Sequence, residues 1–190
     1  DEVVMEYISA ELKGVIGKQY AEPQGRILMN PFKDVKTSAW YGSYVIDLYN
    51  DGIINGTSAT TYAPNDTLTW AAALKLLLVS HGDLKAADAN GADWSKNTIA
   101  KAAELGLVAA DLDGAKAISR LEFCQVAAKL NKLAESKTES KFTDCTDGYV
   151  MALVDAKVIS GMTETTFEPA ASLTRAQIAK IIYQLNLIEK

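Results

Sequence analysis

The sequence predicts an all-α protein in which three helix-loop-helix units form a pseudo-threefold trimer around a central three-helix bundle. The phrase Leu68-Thr69 recurs as Leu173-Thr174, and Ile118-Ser119 stands between them as a third copy. Each copy opens a run of apolar residues at the i, i+3, i+4, i+7 spacing of an amphipathic helix. A unit of about 50 residues can hardly bury such a stripe alone, so the three stripes are expected to meet on one axis.

The repeat defines the boundaries of the units. An offset of 105 residues aligns Tyr44 with Tyr149, and the same offset aligns glycines, aromatic residues and prolines of the two loops. The middle copy is more eroded and its loop is four residues shorter. We therefore predict four segments, the first being an N-terminal helix and linker with Val4, Ile8, Leu12 and Ile16 at helical spacing: residues 1–30, 31–86, 87–136 and 137–190.

Each unit has the same local signals for two helices. First helices are predicted at about 40–51, 94–106 and 147–157, each ending near glycine or Asp-Gly. Second helices begin after Thr69, Ser119 and Thr174, which are N-cap residue types. Glu or Gln three residues later completes a capping box in the second and third units only, because the first unit has Ala72 there.

Composition excludes several classes of function. A net charge of -5 with a pI near 5.0 argues against a general nucleic-acid surface. No segment approaches the apolar length of a membrane span. His81 is the only histidine, which excludes a histidine-based triad or a multi-histidine metal site. We predict no enzyme activity, no catalytic residues, no metal site and no cofactor, with Cys124 and Cys145 as buried free thiols rather than a disulfide.

The arginines are placed selectively. The chain has only three, and Arg120 and Arg175 both follow an N-cap directly. A guanidinium beside the unpaired first amides of a helix would form a pocket for a carboxylate or phosphate. The alternative is internal pairing with an aspartate such as Asp113 or Asp144. Trp70 occupies the same position in the first unit, where it could stack on a sugar or cover apolar surface.

These motifs together resemble the S-layer homology (SLH) domain. The resemblance covers about 160 of the 190 residues and rests on a set of phrases in order: Phe32-Lys33-Asp34-Val35, Gly52-Ile53-Ile54-Asn55-Gly56, Tyr62-Ala63-Pro64 and Leu173-Thr174-Arg175-Ala176-Gln177. It implies three repeats in a pseudo-threefold spindle. It also implies a module that anchors exported bacterial proteins by binding secondary cell-wall polysaccharide, often pyruvylated.

Two functional hypotheses follow. The first is a non-catalytic anchor at the bacterial cell surface, outside the cell, which binds cell-wall polysaccharide and could self-assemble within a surface layer. The second is a degenerate trimer that acts as a structural or protein-interaction module without binding sugar. Trp40 and Trp94 are interpreted as core residues. Asp34 and Asp144 are expected either to cap the first helices or to approach the arginine of a neighbouring unit, and we favour the structural role. The candidate carbohydrate-binding residues are Arg120, Arg175, Trp70, Asp34, Asp144, Gly56 and Gly161.

Overall fold

The computed structural model describes residues 28–85 and 88–188. Within these ranges the regular secondary structure is helical, and extended pairing is confined to isolated bridges. The prediction of an all-α protein is confirmed, whereas the predicted N-terminal helix and all of its linker except residues 28–30 lie outside the described residues. The six helices are α1 (Gly42–Asn50), α2 (Trp70–His81), α3 (Trp94–Glu104), α4 (Arg120–Leu130), α5 (Gly148–Asp155) and α6 (Arg175–Asn186).

The second helix of each unit begins at the predicted cap. The hydroxyls of Thr69, Ser119 and Thr174 each accept a hydrogen bond from the amide three residues later. Reciprocal capping boxes form with Glu122 and Gln177, and none forms at α2. The caps and the missing box are therefore as predicted, because both depend only on residues within one turn of the helix.

The first helices are shorter than predicted by one to two residues at several of their ends. α1 begins at Gly42 rather than near residue 40, and α5 ends at Asp155 rather than near 157. The chain leaves α1 through Gly52, whose φ of 71° is the left-handed conformation expected after a helix. In the third unit Lys157 adopts φ 61° at the matching place, so this turn does not require glycine.

The helices pair in a cycle that joins the units. α2 packs against α3, α4 against α5, and α6 returns to pack against α1. α2 also contacts both α4 and α6, so the second helices lie on the inside of the cycle. Their stripes supply much of one continuous core, which includes Leu74, Leu78, Phe123, Ala127, Ile178 and Ile182. Each unit thus buries its apolar surface against the other two.

The units also interlock through their loops. The first two amides of each second helix donate hydrogen bonds to two carbonyl groups in the loop of another unit. We call these contacts the Trp70, Arg120 and Arg175 junctions, after the first residue of the helix. The carbonyl acceptors are Lys116 and Gly114 at the Trp70 junction, Ala171 and Pro169 at the Arg120 junction, and Asp66 and Pro64 at the Arg175 junction, all at 2.8–3.0 Å.

The three junctions close a ring. Isolated antiparallel bridges accompany them, joining the first unit to the second, the second to the third, and the third to the first: Thr69 with Ala117, Ser119 with Ser172, and Thr67 with Thr174. The junction between the ends of the chain is therefore built like the two between consecutive units. This arrangement satisfies helix amides that would otherwise lack partners.

Candidate functional site

The first amides of the second helices are not open to a ligand. At every junction two of them are held by carbonyls of the neighbouring unit, and the third donates to the N-cap hydroxyl at 3.3–3.4 Å. We predicted an anion pocket in which an arginine and free helix amides act together. The part of that prediction that concerns the helix amides is wrong. Any anion at these positions has to be bound by side chains.

Arg120 is buried at its junction, with only 6% of its surface exposed. Its Nη2 donates to the carbonyl of Ser160 at 2.7 Å, and its guanidinium carbon lies 4.6 Å from the centre of the Phe167 ring. Among the residues that the structure describes, its Nε has no hydrogen-bond partner. Burial lowers the pKa of Arg120, although arginine stays charged at any physiological pH. One donor of a buried cation is thus left unsatisfied, which is uncommon in folded proteins.

Arg175 makes the same kind of contact but has both of these donors occupied. Its Nε donates to the carbonyl of Tyr62 at 2.7 Å and its Nη2 to that of Asn55 at 2.8 Å. The guanidinium lies 4.5 Å from the centre of the Tyr62 ring, and the Tyr62 hydroxyl donates back to the Arg175 carbonyl. Burial raises the pKa of Tyr62 to about 12, which keeps that hydroxyl protonated as a donor. Among the described residues neither arginine pairs with Asp113 or Asp144, so the predicted internal partner was wrong.

The ring under each arginine explains why the first unit has a tryptophan. Arg120 faces Phe167 and Arg175 faces Tyr62, which occupy matching positions in their loops. In the shorter loop of the second unit this position is Leu112, and the helix that docks there begins with Trp70. A guanidinium gains from an aromatic face but gains nothing comparable from leucine. The change from arginine to tryptophan therefore accompanies the loss of the ring it would have covered.

Asp34 and Asp144 hold the loops that carry those rings. The Asp34 carboxylate accepts hydrogen bonds from the amides of Tyr62 and Ala63 at 2.9 and 2.7 Å. Asp144 accepts equivalent bonds from Phe167 and Glu168, both at 2.8 Å. These amide bonds lower the pKa of Asp144. The structural interpretation fits these contacts, but neither residue caps a first helix: the N-cap residues there are Tyr41, Asp93 and Asp147.

The clamped residues adopt an unusual backbone conformation. Ala63 and Glu168 have φ values of 58° and 60°, in the left-handed region that non-glycine residues seldom occupy. Each supplies one of the two amides that donate to a single aspartate. The carboxylate therefore compensates for a locally unfavourable turn. The turn in turn directs the Tyr62 carbonyl toward the Nε of Arg175.

Gly56 and Gly161 are required by the space around them. A Cβ on Gly161 would lie 2.3 Å from the Thr163 oxygen and 2.5 Å from a ring carbon of Phe142. A Cβ on Gly56 would meet the Ser58 oxygen at the same 2.3 Å. Both glycines follow directly after the residue whose carbonyl accepts from an arginine. They allow the loop to fold tightly behind that carbonyl.

A groove opens beside Arg120, between the third unit and the first. It encloses about 150 Å³, and we call it the Arg120 groove. Trp40, predicted to lie in the core, instead lines this groove and has 57% of its surface exposed. Lys180 contributes a second cation from α6. The residues that bear on its chemistry are Trp40, Arg120, Ser160, Gly161, Met162 and Lys180.

The repeat places matching residues around Arg175, where the guanidinium donates to the Asn55 carbonyl and the Lys75 ammonium lies over the Trp94 ring. By analogy with the Arg120 groove we call this set the Arg175 groove: Asn55, Lys75, Trp94 and Arg175. Lys75 corresponds to Lys180, and its ammonium lies 5.2 Å from the centre of the half-buried Trp94 ring. Its Nζ donates to the Asn90 side chain at 2.7 Å. Burial, assisted by the charge of Arg175, lowers the pKa of Lys75, so these two cations lie within electrostatic range of each other.

The Trp70 junction has neither cation. The position of Lys75 and Lys180 is occupied by Gln125, whose amide donates to Asp147 at 2.7 Å. No tryptophan precedes α5, because the third unit is shorter there. Of the candidate residues predicted from the sequence, Arg120 and Gly161 both line the Arg120 groove. Arg175 donates to the carbonyl of Asn55, the residue directly before Gly56. Trp70, Asp34 and Asp144 do not line the Arg120 groove.

Sequence reasoning missed the two lysines. Lys75 and Lys180 are related by the same 105-residue offset that defines the repeat, and both stand five residues after the first residue of a second helix. That regularity was visible in the sequence. It carried no meaning alone, because each lysine accompanies an arginine from a different unit. Only the closed ring of units brings the pairs together.

The cysteines behave as predicted. Cys124 and Cys145 are both buried and neither is bonded. Burial raises the pKa of Cys124 to about 12, so its thiol stays protonated. Within the part of the chain that the structure describes, no group of three or more acidic, histidine or cysteine side chains is placed to hold a metal ion. In those same ranges no helix has the length and apolar character to cross a bilayer.

Fold and grooves together define a class: an all-α repeat domain whose units interlock through their loops and leave side-chain grooves between them. Residues 31–73 and 143–179 match the S-layer homology domain, and these segments belong to that family. The matched segments lie in the first and third units. The second unit falls outside them but has the same helix pair and the same junction hydrogen bonds. The resemblance predicted from the motifs is thereby confirmed.

Relatives with this similarity are large bacterial proteins. The chain is 29% identical to an endoglucanase of Bacillus sp. (strain KSM-635) over 82% of its own length and 18% of the relative. It is 39% identical to the surface-layer 125 kDa protein of Lysinibacillus sphaericus over 40% of its length and 7% of that protein. It is 27% identical to an amylopullulanase of Thermoanaerobacterium thermosulfurigenes over 84% of its own length and 10% of that protein.

The chain thus spans less than a fifth of each of these relatives. Its family is an anchoring domain rather than a catalytic one. The family and the surface-layer relative together indicate cell-wall anchoring and association with the bacterial cell surface.

Proposed function

We propose that this chain anchors an exported protein to the cell wall by binding an acidic, pyruvylated secondary wall polysaccharide in the Arg120 groove. The observation that carries the proposal is the pairing of two cations, Arg120 and Lys180, with the exposed ring of Trp40. Among the described residues neither cation forms an ion pair with a carboxylate. In a chain of net charge -5, such a cationic groove is a local feature.

The groove suits the chemistry of an acidic sugar. A ketal-linked pyruvate presents a carboxylate, which an ammonium and a guanidinium bind by charge-assisted hydrogen bonds. The apolar face of a pyranose can stack on an indole, as aromatic residues present a large apolar surface. The buried Nε of Arg120 has no acceptor within residues 28–85 and 88–188, which supports a need for an outside acceptor near this position.

The candidate residues take different roles in this proposal. Arg120 and Gly161 belong to the groove, with Lys180 and Trp40 as additional ligand contacts. Asp144 positions the loop that carries Phe167 under Arg120. Arg175, Gly56 and Asp34 form the matching set in the first unit, and Trp70 covers apolar surface at the remaining junction.

The relatives give the proposal its biological setting. An endoglucanase and an amylopullulanase carry a similar segment as a small part of a long chain, as does a surface-layer protein. We infer that this segment likewise attaches a larger exported protein at the outside of the bacterial cell. Self-assembly within a surface layer would then be a property of the whole protein.

Calorimetric titration tests the proposal with purified wall polysaccharide from the native host, before and after chemical removal of the pyruvyl groups. We expect binding that depends on those groups, and a loss of about tenfold in affinity for Lys180→Gln, because one charge-assisted contact disappears. Lys96→Gln, a change at an exposed lysine on α3, is the matched control and should bind like the wild type. Equal binding of the stripped polymer would reject the proposed ligand.

A second candidate function is a structural or protein-interaction module without sugar binding. It is favoured by the fact that both arginines hold a loop of the next unit through backbone carbonyls. In that case Lys180→Gln would leave all properties unchanged, and no wall polymer would give heat of binding. The same titration therefore separates the two candidates.

A further inference from the structure

The Arg120 and Arg175 grooves differ in what already fills them. Arg175 has Nε and Nη2 bonded to carbonyls, whereas Arg120 has Nη2 bonded and an Nε that finds no partner in the described part of the chain. The chain therefore satisfies the donors of one arginine more fully than those of the other. Since the two positions are related by the repeat, the difference is specific to their surroundings.

The tryptophan of the Arg175 groove is also more fully covered than the tryptophan of the Arg120 groove. The Trp94 ring is half-buried and has the Lys75 ammonium 5.2 Å from its centre. Trp40 is 57% exposed, and in the described ranges Lys180 has no hydrogen-bond or ion-pair partner. A cation held over an indole takes the face on which a sugar would stack. It also takes the ammonium away from any carboxylate in the groove.

The local sequence accounts for this difference. Asn90 stands four residues before Trp94, and its side-chain oxygen accepts from the Lys75 ammonium at 2.7 Å. Four residues before Trp40 the chain has Lys36, which is exposed and has no acceptor in its side chain. The Asn90 oxygen thus holds the Lys75 ammonium over Trp94. At the corresponding place beside the Arg120 groove stands Lys36, which has the same charge as Lys180 and cannot hold it in this way.

We propose that Lys75 plugs the Arg175 groove from within, so that one chain binds one segment of acidic wall polysaccharide, through the Arg120 groove alone. This inference rests on the proposed function for its ligand, but the plug itself is a property of the free protein. The Trp70 junction, which has Gln125 and Asp147 in place of the cation and the tryptophan, contributes no binding groove. The valence of the module is therefore set by Lys75 and Asn90.

The plug can be measured without any ligand. The chain has three tryptophans, and each stands at a different junction: Trp40, Trp70 and Trp94. Phenylalanine at two of them leaves a single fluorescent reporter. In these single-tryptophan proteins we expect acrylamide to quench Trp40 readily and Trp94 several-fold less. Lys75→Ala and Asn90→Lys should each make Trp94 about as quenchable as Trp40, and Lys180→Ala should leave Trp94 unchanged. Equal quenching of the two tryptophans in the starting proteins would overturn the plug.

Binding then tests the valence. With size-fractionated pyruvylated wall oligosaccharide as the probe, calorimetry should give one site on the wild-type chain and two on Asn90→Lys. Lys75→Ala should gain a second site that is about tenfold weaker, because this site lacks the lysine contact. The fluorescence change on binding should vanish in Trp40→Phe and persist in Trp94→Phe. Two sites on the wild type, or a response from Trp94, would overturn this inference and leave the proposed function standing. Absence of binding in every variant would overturn the proposed function and the valence together, while the quenching result would still judge the plug.

Discussion

The Arg120 and Trp70 junctions join their units with the same backbone hydrogen bonds but with different side chains. In both, two helix amides donate to two loop carbonyls of another unit at 2.8–3.0 Å. At one, a guanidinium covers a phenylalanine ring; at the other, a tryptophan accompanies a leucine. The comparison shows that backbone contacts, which any sequence can make, join the units. The first helical side chain and the residue facing it can therefore change together.

The largest effect is expected from a substitution in the tight loop at the Arg120 junction, a loop that the Trp70 junction lacks. Gly161→Ala should destabilise the protein by about 3 kcal/mol, because its Cβ would overlap the Thr163 oxygen and the Phe142 ring. The second unit has Ala110 at the matching position, in its shorter loop. Urea unfolding measures the change. Gly106→Ala, where a Cβ meets nothing but φ is 71°, is the control and should cost only about 1 kcal/mol.

The next prediction converts one junction into the other. Arg120→Trp and Phe167→Leu should each lower the free energy of unfolding by about 2 kcal/mol, since each removes one partner of a buried cation–ring contact. Together they recreate the Trp70 and Leu112 pair, so the double variant should be about 1 kcal/mol more stable than the sum predicts.

The control for that cycle uses a ring in another unit. Phe32→Leu, which alters a buried ring of the first unit, should combine additively with Arg120→Trp. Strict additivity of Arg120→Trp with Phe167→Leu would show that the arginine and its ring do not form one energetic unit.

A smaller effect concerns the aspartate clamp, which supports the Arg120 junction. The amides of Phe167 and Glu168 lower the pKa of Asp144, so its ionised form stabilises the folded state above the ordinary aspartate pKa of about 3.9. This stability is lost as the pH falls through the lowered folded value. Asp144→Asn should therefore reduce the Tm by a few degrees at pH 6, and the difference should shrink toward pH 2. Asp111→Asn, at an exposed residue, should not change the Tm at either pH.

The smallest effect sharpens the comparison at the helix starts. Ala72→Glu supplies the third-residue carboxylate that α2 lacks and the other second helices have. A complete capping box should raise the free energy of unfolding by about 0.5–1 kcal/mol. The reverse change, Glu122→Ala, should lower it by a similar amount. If neither Ala72→Glu nor Glu122→Ala changed the free energy of unfolding, the junction hydrogen bonds, and not the caps, would fix these helix starts.

Local features of this fold could be predicted from the sequence, and contacts between units could not. Thr69, Ser119 and Thr174 were identified as caps because a cap and its partner lie within four residues. The partners of Arg175 lie 113 and 120 positions away, in a unit that the chain reaches only by closing the ring. The exposure of Trp40 depends on the same closure. Its equivalence to Trp94 in the repeat therefore did not predict its environment.

Because the three junctions close a ring, any of the three units could come first along the chain without changing the contacts between units. The third unit joins the first through Arg175 as the second joins the third through Arg120, although no peptide bond links the ends. A circularly permuted chain, cut between two units and sealed between the old ends, would keep every junction. Any of the three covalent links could therefore serve as the exit point of a neighbouring domain without opening the domain.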